Sequence, residues 1–194
     1  MGIIGTWEGF VVSSYDVYNR GTWGIGYNIN NIIALTNGGW DIENITGFSA
    51  TKTAESSAIR FVFTKINDTY YTSMHGKFMT TPINLTPYKT INFTVSNIQG
   101  YQKGRYSNDW IDLSLRCFVS TPTGQLISEK EYYYGGKTDG NITPPSKEIT
   151  SSIDISNINI TAQISVVLFY LYNKNGNIST GETHTAYLHR LWFT

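Results

Sequence analysis

Between Thr80 and Ser96 the chain reads TTPINLTPYKTINFTVS, and its second half alternates: Ile91, Phe93 and Val95 fall on one side, Thr90, Asn92 and Thr94 on the other. A period of two is that of a β-strand, whose successive side chains point to opposite faces, so the three apolar residues share a buried face. Pro82 and Pro87 punctuate the approach. Proline fixes φ and lacks an N–H, so the strand starts after Pro87.

The same period recurs along the chain. Ala58 to Ile66 predicts a strand, Asn67-Asp68 a turn, and Thr69 to Met74 its hairpin partner. Ile29 to Leu35 is a short apolar run closed by Asn37 to Gly39. Trp110 to Ser120 alternates well, Thr121 to Gly124 turns the chain, and Gln125 to Tyr134 returns as the partner strand. Lys147 to Ile155 and the very apolar Gln163 to Tyr172 predict two more strands, with a type I′ hairpin turn at Asn175-Gly176. Thr185 to Phe193 closes the chain, and strict alternation puts Tyr187, His189, Leu191 and Phe193 opposite Leu188, Arg190 and Trp192. No segment of ten or more residues has apolar spacing at three and four, so no helix is predicted.

About ten short strands with turns between them predict an all-β, antiparallel β-sandwich of jelly-roll type. Residues 1–15, with Trp7, Phe10 and Val12, predict an N-terminal strand or docking arm, and residues 16–194 a single sandwich domain. The glycine- and proline-rich stretch Gly135 to Pro145 is a loop within it.

Composition narrows the partners. Lys+Arg and Asp+Glu both number 14, and charged residues are 14% of the chain, well below the roughly 25% of an average soluble protein. That balance excludes a general nucleic-acid or anionic-membrane binder, which needs a basic excess. No apolar run approaches the ~18 residues of a membrane-spanning helix, so no membrane insertion is expected. Cys117 stands alone, which excludes a disulfide framework and predicts a buried thiol. The N-terminus has no basic n-region and carries Glu8, so the expectation is folding in a reducing cytoplasm.

Catalytic and metal chemistry find little support. His75, His184 and His189 are scattered, and Asp109, Asp139 and Glu182 form no Asp-x-Asp-x-Asp run, so no metal or other cofactor is assigned. The nearest carboxylate pairs, Asp41 with Glu43 and Asp109 with Asp112, sit beside turns as solvated groups do. There is no Gly-x-Ser-x-Gly elbow, and Gly24-Ile25-Gly26 precedes no helix that would make a phosphate cradle. The chain is therefore read as a non-enzyme.

Aromatic residues carry the remaining signal. The chain has 14 Tyr and 5 Trp among many Asn, Thr, Ser and Gly. Tyr101, Arg105, Tyr106 and Trp110 cluster with Asn108 and Asp109, and Tyr132 to Tyr134 end a strand before Gly135-Gly136. Rings at loop tips stack on the C–H faces of sugars, while Arg, Asn and Asp select hydroxyls. The predicted carbohydrate-binding residues are Tyr101, Arg105, Tyr106, Asn108, Asp109, Trp110, Tyr132 and Tyr134. The alternative is that alternate tyrosines are core and the others line a subunit contact.

Several stretches then add up to one module: Tyr18-Asn19-x-Gly21, Thr36-x-Gly38-Gly39-Trp40, Asn67 to Tyr71, Ile83-Asn84-Leu85-Thr86-x-Tyr88-Lys89-Thr90-Ile91-x-Phe93, Ile153-Asp154-Ile155-Ser156 and Tyr187 to Phe193. Their order resembles the jelly-roll modules of tail-fibre and other virion surface proteins of bacteriophages infecting Gram-positive bacteria. The resemblance implies a virion surface protein that contacts host-cell polysaccharide or neighbouring virion subunits. Such a protein would be a homo-oligomer, because attachment structures gain avidity by repeating weak sites. A structural virion subunit, a head decoration, collar or fibre-anchoring protein, is the alternative role.

Overall fold

The computed structural model describes residues 14–38, 42–43, 48–67, 72–99, 114–120, 125–133, 148–173 and 179–194. The strands among them are β1 (Tyr15–Asn19), β2 (Thr22–Trp23), β3 (Ile32–Gly38), β4 (Ile42–Glu43), β5 (Phe48–Ala54), β6 (Ile59–Lys65) and β7 (Thr72–Met79). They continue with β8 (Ile83–Asn84), β9 (Thr90–Gln99), β10 (Ser114–Ser120), β11 (Leu126–Tyr133), β12 (Ile149–Asp154), β13 (Thr161–Asn173) and β14 (Thr183–Phe193). A single 3-10 turn, Ile29–Asn31, is capped by Asn28, whose side chain accepts from the Asn30 N–H. The predicted run at Ile29 thus splits into this turn and β3.

The strands form two antiparallel sheets packed as a β-sandwich. In the first, β12, β9, β14, β1 and β2 follow one another, and β6 with β5 also pairs onto β14. In the second the order is β11, β10, β13, β7, β3, β4, with β8 on β13. Most connections cross between sheets, β9 to β10 and β11 to β12 among them, as a jelly roll requires.

One edge of β14 is covered by β9, and the other is shared by β6 along its first half and β1 along its second. Ile59, Phe61, Phe63, Ile91, Phe93, Val95, Leu188, Leu191 and Phe193 point inward at 0% exposure, and Ile32, Phe78, Ile164 and Val166 meet them from the second sheet. Lys65 is also in this interior, its ammonium 5.4 Å from the centre of the Phe48 ring, a cation–π contact.

Two local expectations are corrected. The predicted hairpin between Ala58–Ile66 and Thr69–Met74 does not form: β5 and β14 occupy the two edges of β6, and β7 pairs with β3 and β13 in the other sheet. Strict alternation along the last strand also fails, for the reason given below. Of the hairpin predicted from Trp110 to Tyr134, the described residues pair as expected, as β10 and β11; 110–113, 121–124 and Tyr134 lie outside them. The N-terminal strand or arm and the Asn175-Gly176 turn lie outside the described residues, apart from Tyr15, which opens β1.

Candidate functional site

Most of the predicted site, Tyr101, Arg105, Tyr106, Asn108, Asp109, Trp110 and Tyr134, lies outside the described residues, as do Asp41, Asp112 and Asp139. Tyr132 is in β11, paired through its backbone with Leu115. The strands that lead into those loops are informative. β9 ends at Gln99 opposite Thr185, β10 begins at Ser114 opposite Tyr133, and β12 begins at Ile149 opposite Val95. Within the first sheet, the ends at Gln99 and Ile149 flank the level of Ser96, Tyr187 and Glu148.

From there the outer face of the first sheet can be built row by row, because directly paired residues of adjacent strands project on the same side. In the first row Arg60 of β6 faces Tyr187 of β14, which faces Ser96 of β9, beside Glu148. The second row runs Asn19, Arg190, Thr94, Thr150. Asp16, Trp192, Asn92 and Ser152 make up the third. These three rows hold no aliphatic side chain, though the adjoining row, Thr51, Val62 and Thr185, adds Val62; the opposite side of the same strands is almost wholly aliphatic and aromatic.

His189 belongs to this face as well, through a β-bulge. The pairing of β14 with β9 shifts between Leu188 and Arg190, so His189 is the extra residue. A bulge sets two residues of one strand against one of its partner. Leu188, Leu191 and Phe193 therefore stay in the core, while Tyr187, His189, Arg190 and Trp192 share the outer face. This replaces the strict alternation predicted from sequence. The signal was present in Leu188-His-Arg-Leu191, where two polar residues separate two apolar ones. The bulged carbonyl is not left bare: the Arg20 N–H donates to the His189 oxygen at 2.8 Å.

The polar side chains interlock. His189 Nε2 lies 2.6 Å from Ser96 Oγ, and the Tyr187 and His189 rings are 21° from parallel with centroids 6.3 Å apart. Arg20, from the turn between β1 and β2, reaches over β14 and β9 to Glu148, with Nη1–Oε1 at 3.0 Å and Nη2–Oε2 at 2.5 Å. Ser96, beside it, is only 7% exposed although it faces outward. The Arg20 hydrogen bonds hold the Glu148 carboxyl below its usual pKa, against a smaller opposing effect of desolvation. Arg190 sets both Nε and Nη2 2.8 Å from Asp16 Oδ1 and lays its guanidinium 4.2 Å from the centre of the Trp192 ring.

A second aromatic group sits at the opposite end, where Tyr15, Tyr27 and Tyr88 meet Phe193 and Phe78. Its rings pack tilted or edge-on against one another, Tyr15 on Tyr27 at 63°, which consumes their faces in mutual contact. That group is structural.

Ser96, His189 and Glu148 occur in the hydroxyl–imidazole–carboxylate order of a catalytic relay. Here, however, His189 Nδ1 is 3.7 Å from Glu148 Oε1, beyond hydrogen-bond length. β9 and β14 are paired on both edges, so their N–H groups serve the sheet and not an oxyanion. The hydrogen bond from imidazole to carboxylate that such a relay uses is absent among these three residues. Among the described residues, no three His, Cys, Asp or Glu side chains converge as metal ligands.

The antiparallel sandwich, polar and ring-bearing on the outer face of its first sheet, defines the class of the protein: an all-β sandwich. No protein-family model matches the chain, and no curated protein matches it. Among solved structures it is similar to carbohydrate-binding modules of the β-sandwich superfamily noted for promiscuous specificity, at 9% identity and a TM-score of 0.54, covering 86% of this chain and 58% of that one. It is also similar to the enzymatically active domain of tailspike protein 4 from bacteriophage CBA120 (9% identity, TM-score 0.49, 86% of this chain and 20% of that one). A third is the family 11 carbohydrate-binding module of Clostridium thermocellum in complex with a β-1,3-1,4-mixed-linked tetrasaccharide (9% identity, TM-score 0.46, 93% and 94%). The chain thus spans a little over half of the first of these and a fifth of the second. At such identities the likeness is one of fold, and the fold is the β-sandwich.

Proposed function

We propose that the protein is a non-enzymatic glycan-binding module that uses the outer face of its first sheet, extended by the loops holding Tyr101 to Trp110 and Tyr134. The observation that carries this reading is the polar side of this sheet, three adjoining rows of hydroxyl, amide, charged and aromatic side chains. Tyr187 and Trp192 lie five positions apart on one strand, roughly 15 Å along it. That span suits an oligosaccharide better than a single sugar. Between the rings the paired arginines offer donors and acceptors to hydroxyls, while Asn92 and Thr94, 9% and 7% exposed, brace the face from beneath.

The finer role rests on the sequence resemblance: a receptor-binding or adhesion protein on the virion surface of a phage infecting Gram-positive bacteria. It would be assembled in the host cytoplasm and repeated in a homo-oligomer so that weak sites act together. A second reading, a structural virion subunit, is favoured by Ile25, a 93% exposed side chain at a loop tip of the kind that seeks a protein partner.

The test is affinity electrophoresis through soluble polysaccharides with wild-type protein and the Tyr187→Ala, Trp192→Ala and Trp110→Ala variants. Retardation by at least one polysaccharide, weakened about tenfold by loss of a stacking ring, supports the reading. Retardation that survives both sheet substitutions but fails with Trp110→Ala moves the site to the loop. No retardation by any polysaccharide favours the structural subunit.

A further inference from the structure

Resting on the glycan reading, we infer that this face selects uncharged polysaccharide and rejects polyuronates and phosphate-bearing polymers. Among the described residues, each arginine on the face stands against a carboxylate: Arg20 against Glu148 and Arg190 against Asp16 through two nitrogens each, and Arg60 through Nε alone, 3.0 Å from Glu55. Recognition of an anionic sugar relies on a guanidinium whose paired N–H donors are free to grip carboxylate or phosphate. Arg20 has spent that pair on Glu148, Nη1 to one oxygen and Nη2 to the other. Arg190 gives Nε and Nη2 to Asp16 and rests its plane on Trp192. Among the described residues of this face, an anionic ligand would therefore have to displace a carboxylate already in place at Arg20 or Arg190, and would meet Asp16, Glu55 and Glu148 beside the arginines.

A neutral polyol faces no such conflict. The side chains of these pairs are between 33% and 50% exposed, so remaining N–H donors and carboxylate lone pairs stay open to hydroxyls. A sugar hydroxyl donates to one partner and accepts from the other without unbalancing charge, and hydrogen bonds to ionised groups are the stronger kind. The pairs thus act together as neutral, two-sided hydrogen-bonding stations.

The experiment compares two panels by affinity electrophoresis and calorimetry: neutral mixed-linkage glucan, mannan and xylan against polygalacturonate and poly(glycerol phosphate). Wild-type protein is expected to bind within the neutral panel only, with affinity changing less than about twofold between low salt and ~0.5 M NaCl. Glu148→Gln keeps the side chain's shape but frees Arg20. It is expected to gain binding to an anionic polymer, about fivefold or more over wild type, and to lose that gain in high salt. Wild-type binding to the anionic panel with steep salt dependence overturns this inference while leaving the glycan reading intact. Binding confined to the neutral panel in both proteins, with no gain from Glu148→Gln, also overturns it, since selection would then not come from the pairing. Binding to neither panel removes the glycan reading and this inference with it.

Discussion

His189 Nε2 meets the Ser96 hydroxyl at 2.6 Å because β14 carries one more residue than β9 at that level. The bulge decides what the outer face contains, since it brings His189 and Arg190 to the same side. Deleting His189 would join Leu188 to Arg190 and restore a plain in–out alternation, with Leu188, Leu191 and Phe193 still inward. The deletion variant is thus expected to fold, losing about 1–3 kcal/mol for the Ser96 contact and for the Arg20 N–H now without its carbonyl. Deleting Leu188 instead removes a core side chain and pulls His189 inward, and that protein is expected not to fold. Near-ultraviolet circular dichroism with urea unfolding separates the two, and equal loss of structure in both would contradict this account of the bulge.

The turn that delivers Arg20 gives a second prediction. Gly21 has φ +94°, and a Cβ there would lie 2.4 Å from the Ser56 carbonyl oxygen, whereas Gly26 has φ +83° with open space around it. Gly26→Ala should cost about 1–2 kcal/mol of backbone strain alone. Gly21→Ala adds a clash with rigid backbone in the turn between β5 and β6, and should cost clearly more. Urea midpoints of the two variants check the order, and the reverse order would mean that the two turns do not abut as described.

Neighbouring residues of β9 should also behave very differently. Phe93 is fully buried between the sheets, so Phe93→Ala is expected to cost about 3–5 kcal/mol. Asn92, on the other side, binds Thr90 Oγ1 at 2.9 Å and Thr194 Oγ1 at 3.2 Å. Its replacement by Ala should cost about 1 kcal/mol. Comparable losses in chemical denaturation would show that the strand does not have one core side and one hydrogen-bonded side.

What was legible in the sequence followed from local pattern. Ile91, Phe93 and Val95 announced their buried side because period two is a property of neighbours, and the β10–β11 hairpin announced itself because its turn is short. The β6–β7 hairpin misled for the same reason: a short turn signal at Asn67 says nothing about which edges β5 and β14 already occupy. Arg20 and Glu148 are 128 positions apart, and their meeting depends on the register of four strands, which no local pattern encodes. The predicted loop site and the observed sheet face share one physical rationale, rings beside hydroxyl-selecting groups. Only the sheet face could be assembled from strand pairing, and it was missed because strict alternation had set His189 apart from Arg190 and Trp192.

The bridge between Arg20 and Glu148 makes a pH prediction whose sign is fixed by geometry. Hydrogen bonding to Arg20 lowers the Glu148 pKa in the folded protein, aided by the nearby His189 and Arg20 charges and opposed by desolvation. A carboxyl with a depressed folded pKa contributes stability that is fully present above its unfolded value, about 4.3, and that fades as pH falls through the folded value. The bridge should therefore persist through neutral and mildly acid solution and open only below the ordinary glutamate range. Both side chains are largely exposed, so the effect on global stability is small and a local probe is required. Carbon-13 NMR of the Glu148 carboxyl is expected to show a midpoint below that of a free glutamate in the wild type, rising toward the ordinary value in Arg20→Gln. A wild-type midpoint at or above the ordinary value, or one that Arg20→Gln leaves unmoved, would mean that Arg20 does not hold Glu148 in solution. The sheet face would then lack the clasp that joins the β1–β2 turn to the start of β12.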